Sequence, residues 1–76
     1  MDLEDVLKVI CQNKYLGGDS LVTICLAEDV SRDIYEGTVV DVPDNIKYRG
    51  WTVEEVRRVD DETIPKGCRP FIITVW

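Results

Sequence analysis

Chemistry in a 76-residue chain without histidine has to come from carboxylates, thiols or hydroxyls. A Ser-His or Cys-His nucleophile is excluded, and the commonest general base is missing. Ser20 and Ser31 fall in turn-forming stretches. The carboxylates cluster as Glu28-Asp29, Glu54-Glu55 and Asp60-Asp61-Glu62. Neighbours in a loop point into water, and acid-base work by a carboxylate pair needs a pocket that so short a chain can hardly enclose. The run at 60–62 offers oxygens to a cation but lacks the alternate spacing and the glycine of an EF-hand loop. Gly17-Gly18 lacks the Lys and Ser or Thr that complete a phosphate loop. A non-enzymatic protein without metal or cofactor is the expectation.

The three cysteines, Cys11, Cys25 and Cys68, form no CxxC pair and have no histidine to complete a zinc shell. Their odd number argues against a disulfide scaffold, so a reduced, cytoplasmic setting is expected. MDLEDVLK has neither a basic leader nor a long apolar run, which predicts no signal peptide and no membrane span. Cys11 and Cys25 read as small core residues. Cys68 stands between Lys66 and Arg69, where positive charge would favour a thiolate, although an incidental loop cysteine is the plainer reading.

Charge divides the chain unevenly. Residues 1–45 hold ten acids against three bases, and residues 46–76 hold five against six, within an overall net charge of −6. An acidic chain is poorly suited to nonspecific contact with phosphates. The one cluster suited to nucleic acid is Arg49, Arg57, Arg58 and Lys66, extended by Lys47 and Arg69, with Tyr48 and Trp51 as stacking platforms. Five acids are interleaved with it. The opposite possibility is a DNA mimic using Asp29, Asp33, Asp41 and Asp44, against the plainer reading that the acids confer solubility.

These residues have to be positioned by one small domain spanning 1–76. Its 45% hydrophobic content is ordinary for a folded protein. Leu3, Val6, Leu7, Ile10 and Cys11 form one helical stripe, with Asp2 as its cap and Gly17-Gly18 as its stop. LVTICLA, residues 21–27, alternates Val22, Ile24 and Leu26 with a second face of small residues. Glu28 to Asp33 reads as a polar turn and Ile34 to Val42 as a second strand. Gly37 inside that strand signals a bulge or a close contact. Residues 43–49 allow one or two helical turns ending at Gly50.

GWTVEEVRRVDDE supports two readings. Thr52 and Glu55 have capping-box spacing, and Val53, Val56 and Val59 recur at nearly helical intervals. The segment is also β-branched and aromatic, and as a helix it would bury three valines and no leucine. A strand from Trp51 to Val59 with a bulge at Glu54 and Glu55 is the favoured reading. FIITVW then pairs with it across a loop from Asp60 to Pro70 and is apolar on both faces, as a central or doubly covered strand would be.

The fold expected is α+β, with an N-terminal helix packed on a four-stranded, mainly antiparallel sheet made of two hairpins. One helix covers one face. Tyr35, Val39, Ile72 and Trp76 fall on positions expected to face away from it, unless the sheet curls into a small barrel.

An acidic amphipathic helix, a strand pair ending in EGTVVDVP (residues 36–43), a valine-rich strand, an Asp-Asp turn and a short apolar strand together resemble small uncharacterised proteins of phages and prophages of Firmicutes. The resemblance spans most of the chain, although TIPKGCRP is longer than the tight turn expected of that group. It implies a phage or mobile-element origin and a bacterial host cytoplasm, and it carries no site residues. The leading expectation is an accessory protein that binds another protein or forms a homodimer through an aromatic patch of Tyr35, Trp51 and Trp76. The alternatives are the basic nucleic-acid module and the acidic mimic.

Overall fold

The computed structural model describes residues 1–13, 17–65 and 70–76, without the side chains of Val30 and Ser31. In chain order they form α1 (Leu3–Gln12), β1 (Leu21–Leu26), β2 (Asp29–Thr38), a 3-10 turn (Val39–Asp41), α2 (Asp44–Lys47), β3 (Val53–Arg58) and β4 (Phe71–Val75). The fold is α+β, and its four strands stand in the order β2-β1-β4-β3. β1 pairs with β2 and β3 with β4 as antiparallel hairpins, while the two hairpins meet through a parallel β1–β4 pair. The sheet is open, with β2 and β3 at opposite edges, so it does not close into a barrel.

The helix buries Leu3, Val6, Leu7 and Ile10. They pack on Val22 and Ile24 of β1 and Ile73 and Val75 of β4, all of which are almost completely buried. Cys11, expected in this stripe, is exposed. At about 100° per residue it lies roughly 80° around the helix from Leu3, on the flank of the apolar arc.

The Asp2 side chain makes no cap hydrogen bond. Instead the backbone on either side of it pairs with the approach to β3. The Leu3 N–H donates to the Trp51 carbonyl at 3.0 Å and the Val53 N–H to the Met1 carbonyl at 2.7 Å. One of the amides orphaned by the helix start is thereby satisfied.

Two boundaries of β2 differ from the sequence reading. The strand starts at Asp29, after a two-residue turn at Ala27 and Glu28. The polar residues up to Asp33 are accommodated at a sheet edge by two register shifts, as Leu26 pairs with Asp29 but Cys25 with Asp33 and Ile24 with Tyr35. The strand ends at Thr38 rather than Val42. There Tyr35 Oη donates to the Thr38 carbonyl at 2.6 Å and Thr38 Oγ1 to Asp41 Oδ2 at 2.7 Å. These bonds fold the chain into the 3-10 turn and carry Val39 and Val42 into the core.

Gly37 marks a close contact, and its register with Val22 is regular. A Cβ there would lie 2.8 Å from Tyr35 Oη, and its φ is +155°. The short helix after Pro43 ends before Gly50, whose φ is +90°.

The segment with two readings is a strand. β3 pairs with β4 through a register shift between Val53 and Glu55, the position expected for the bulge. Thr52 and Trp76 exchange backbone hydrogen bonds at 3.0 Å, which extends the pairing by one residue on each strand.

Candidate functional site

Residues directly opposite each other on paired strands share a face of the sheet. The pairings therefore sort every strand residue to the helix side or the open side. On the open side, Ile72 stands between Thr23 and Arg57, and Thr74 between Cys25 and Glu55. Asp33 and Glu36 complete these rows at the β2 edge, opposite Cys25 and Thr23. The sorting agrees with the surface. A shallow depression of about 330 Å³ is lined by Thr23, Cys25, Asp33, Glu55, Ile72 and Thr74, with Arg57 at its border. A neighbouring one of about 480 Å³ continues it to Leu21, Glu36 and Pro70.

Strand alternation brings Trp76 to the same side, since Val75 faces the core. Trp76 is 67% exposed. The two central strands thus present Leu21, Pro70, Ile72 and Trp76 as a row of apolar side chains interrupted by Thr23 and Thr74. Asp33 and Glu36 stand along one flank, Glu55 and Arg57 along the other. In the middle, Cys25 and Thr74 are buried, with Cys25 Sγ 3.7 Å from Thr74 Oγ1. This thiol is therefore screened although it sits on the open side.

Of the expected aromatic patch, only Trp76 lies on this face. Tyr35 pairs with Ile24 on the helix side and packs against the core. Burial pushes its hydroxyl up from the ordinary tyrosine value, and the Asp41 carboxylate adds to the shift. Val39, also expected to face away from the helix, is buried in the core. Trp51 packs on the helix side as well, its ring 4.8 Å from the Arg49 guanidinium and its Nε1 buried without an acceptor. Tyr35 and Trp51 are at opposite edges of the sheet and do not meet.

The basic set is similarly dispersed. Arg57 lies on the open side, opposite Ile72. Arg58, its neighbour in β3, pairs with Phe71 on the helix side and stands 5.3 Å over that ring. Arg49 caps Trp51, and Lys66 lies outside the described residues, as does Cys68. The four aspartates of the mimic reading are also spread out. Asp29 and Asp33 belong to β2, Asp41 accepts from Thr38, and Asp44 opens α2. Asp61, at the candidate cation run, accepts from the N–H and hydroxyl of Thr63 at 2.9 and 2.7 Å, the bonding of a local turn.

A second concavity, about 390 Å³, lies between α1 and the Val39–Tyr48 segment. Leu7, Cys11, Val40 and Tyr48 line it, with Lys8 and Lys47 at its margin. Among the described residues no three metal-ligating side chains converge, and no helix is long and apolar enough to cross a membrane. Ile72, Trp76 and the small second face of β1 are legible in the sequence, as are Asp33 in the acidic set and Glu55 in a carboxylate pair, but not that these two flank one surface together with Glu36. Those become partners of one surface only through the strand order. Comparison with protein families, curated proteins and solved structures finds no match.

Proposed function

We propose that this chain is a non-enzymatic accessory protein that works by binding another protein through the open face of its sheet, of the kind that phages and mobile elements encode. The observation that carries the proposal is the double-sided character of β4. Its Ile73 and Val75 are spent on the helix, while on the other face Ile72 is half-buried and Trp76 exposed beside Leu21, with no helix or strand over them among the described residues. Side chains of that size on a broad face are the usual mark of a contact surface. The origin from a phage or mobile element is supported by the resemblance of EGTVVDVP and the element order.

The test places a photo-crosslinking amino acid at position 72 and, in a second variant, at Val9, which is 63% exposed on α1. Irradiation in a bacterial lysate is expected to trap a protein, or a second copy of the chain, from position 72 and not from position 9. Equal trapping at both, or none at 72, would overturn the proposal. Retention of the unmodified protein on DNA at low salt would favour the basic module instead.

A further inference from the structure

Resting on that reading, the open face also carries information about what covers it. Along β4 the row runs from Pro70 to Trp76, six residue steps, or about 20 Å at strand spacing, with Leu21 beside its start. That is the length of roughly 13 helical residues at 1.5 Å each. On the other face α1, ten residues long, lies across the same central strands. β1 and β4 run parallel, so the outward residues of both strands form one continuous row at the centre of the sheet. The flanks add a sign. Among the described residues facing this side, Asp33, Glu36 and Glu55 stand against one cation, Arg57. A second copy of the face would set three carboxylates and one arginine against the same set, a net of about −2 against −2, in a chain of net charge −6.

We propose that the open face receives a basic amphipathic helix of a partner protein, its apolar side on Leu21, Ile72 and Trp76 and its Lys or Arg residues against Asp33, Glu36 and Glu55. The interaction adds a third layer to the helix and sheet of the described residues.

The experiment uses the full chain and three synthetic 14-residue peptides. One is helical with a leucine face flanked by lysines, one has glutamates in place of the lysines, and one is a scramble of the first with no apolar face. Binding is followed by amide and indole NMR shifts. The lysine peptide is expected to shift Thr23, Ile72, Thr74 and the Trp76 indole, to weaken with salt, and to bind about tenfold or more tightly than the other two. A variant with Asp33→Lys, Glu36→Lys and Glu55→Lys, all exposed positions, is expected to reverse the preference toward the glutamate peptide.

Equal binding of the lysine and glutamate peptides, shifts confined to other surfaces, or an unchanged preference in the reversed variant would overturn the inference. So would dimerisation of the chain through this face in sedimentation equilibrium. If the peptides fail while position 72 still traps a protein, the basic helix is wrong and the contact surface stands. If both fail, the contact surface falls too.

Discussion

Gly37→Ala isolates the device that ends β2. The added Cβ would stand 2.8 Å from Tyr35 Oη and 3.2 Å from Tyr35 Cζ, and the residue would have to hold a φ of +155°. Backbone strain of that kind costs about 1 to 3 kcal/mol. Relief by rotating the Tyr35 ring breaks the 2.6 Å bond to the Thr38 carbonyl, a further loss of about 1 kcal/mol. The substitution should therefore destabilise the protein by about 2 to 4 kcal/mol, read as a lower urea midpoint with an unchanged slope. The mechanism is separable by a double-mutant cycle with Tyr35→Phe. Removing the hydroxyl abolishes both the closest contact and the hydrogen bond, so Gly37→Ala should cost about 1 kcal/mol less in the Phe background than in the wild type. An equal cost in both backgrounds would refute the role given to the hydroxyl and leave backbone strain as the whole effect.

Four further outcomes test other parts of the structure. Ile73→Ala removes a fully buried side chain and should cost about 2 to 5 kcal/mol, whereas Val9→Ala on the outer side of α1 should stay within about 0.5 kcal/mol in the same urea titration. In the native protein iodoacetamide should alkylate Cys11 well before Cys25, resolved by peptide mass mapping. Because the folded Tyr35 hydroxyl titrates above its unfolded value near 10.0, its contribution to stability is complete below that pH and is lost as pH rises through the folded value. The urea midpoint of the wild type should thus fall more steeply above pH 10 than that of Tyr35→Phe. Amide hydrogen exchange should be slow at Leu3, whose N–H donates to Trp51, and fast at Glu4, which has no partner within the helix.

Local pattern was enough to read the elements whose residues answer to one neighbour. The α1 stripe, the alternation of β1, the single turn after Pro43 and the strand at 53–58 with its bulge all follow from periodicity and turn residues. Local pattern failed where a contact distant in sequence decided the outcome. Tyr35 looks like an outward strand position until its register with Ile24 puts it on the helix side, and Val39 does until the Tyr35–Thr38–Asp41 hydrogen bonds turn the chain and bring it into the core. Cys11 completes a stripe by counting but lies beyond the arc that the sheet covers. Asp2 has the chemistry of a cap, yet the approach to β3 supplies backbone hydrogen bonds in its place. The candidate site was half legible for the same reason. Ile72 and Trp76 could be read from β4 alone. The charges beside them required knowing that β1 and β4 meet in parallel, which hairpin signals do not encode.

That parallel junction links the size of the chain to the surface it exposes. Two hairpins joined through their inner strands put β1 and β4 at the centre, where each residue has neighbours on both flanks and both faces demand apolar or small side chains. A chain of this length supplies one long helix, and α1 satisfies only the side bearing Val22, Ile24, Ile73 and Val75. On the other side the chain uses small residues where it can, and Cys25 and Thr74 there are buried, 3.7 Å apart. Ile72 is only half-buried there and Trp76 is 67% exposed. Were β4 selected only for stability in isolation, threonine at both positions would keep β propensity and remove exposed apolar area. Ile72→Thr with Trp76→Thr should therefore leave the urea midpoint within about 1 kcal/mol of the wild type while abolishing photo-trapping by a crosslinker moved to position 23. Retained trapping with both large side chains removed would mean that the contact depends on the charged flanks alone.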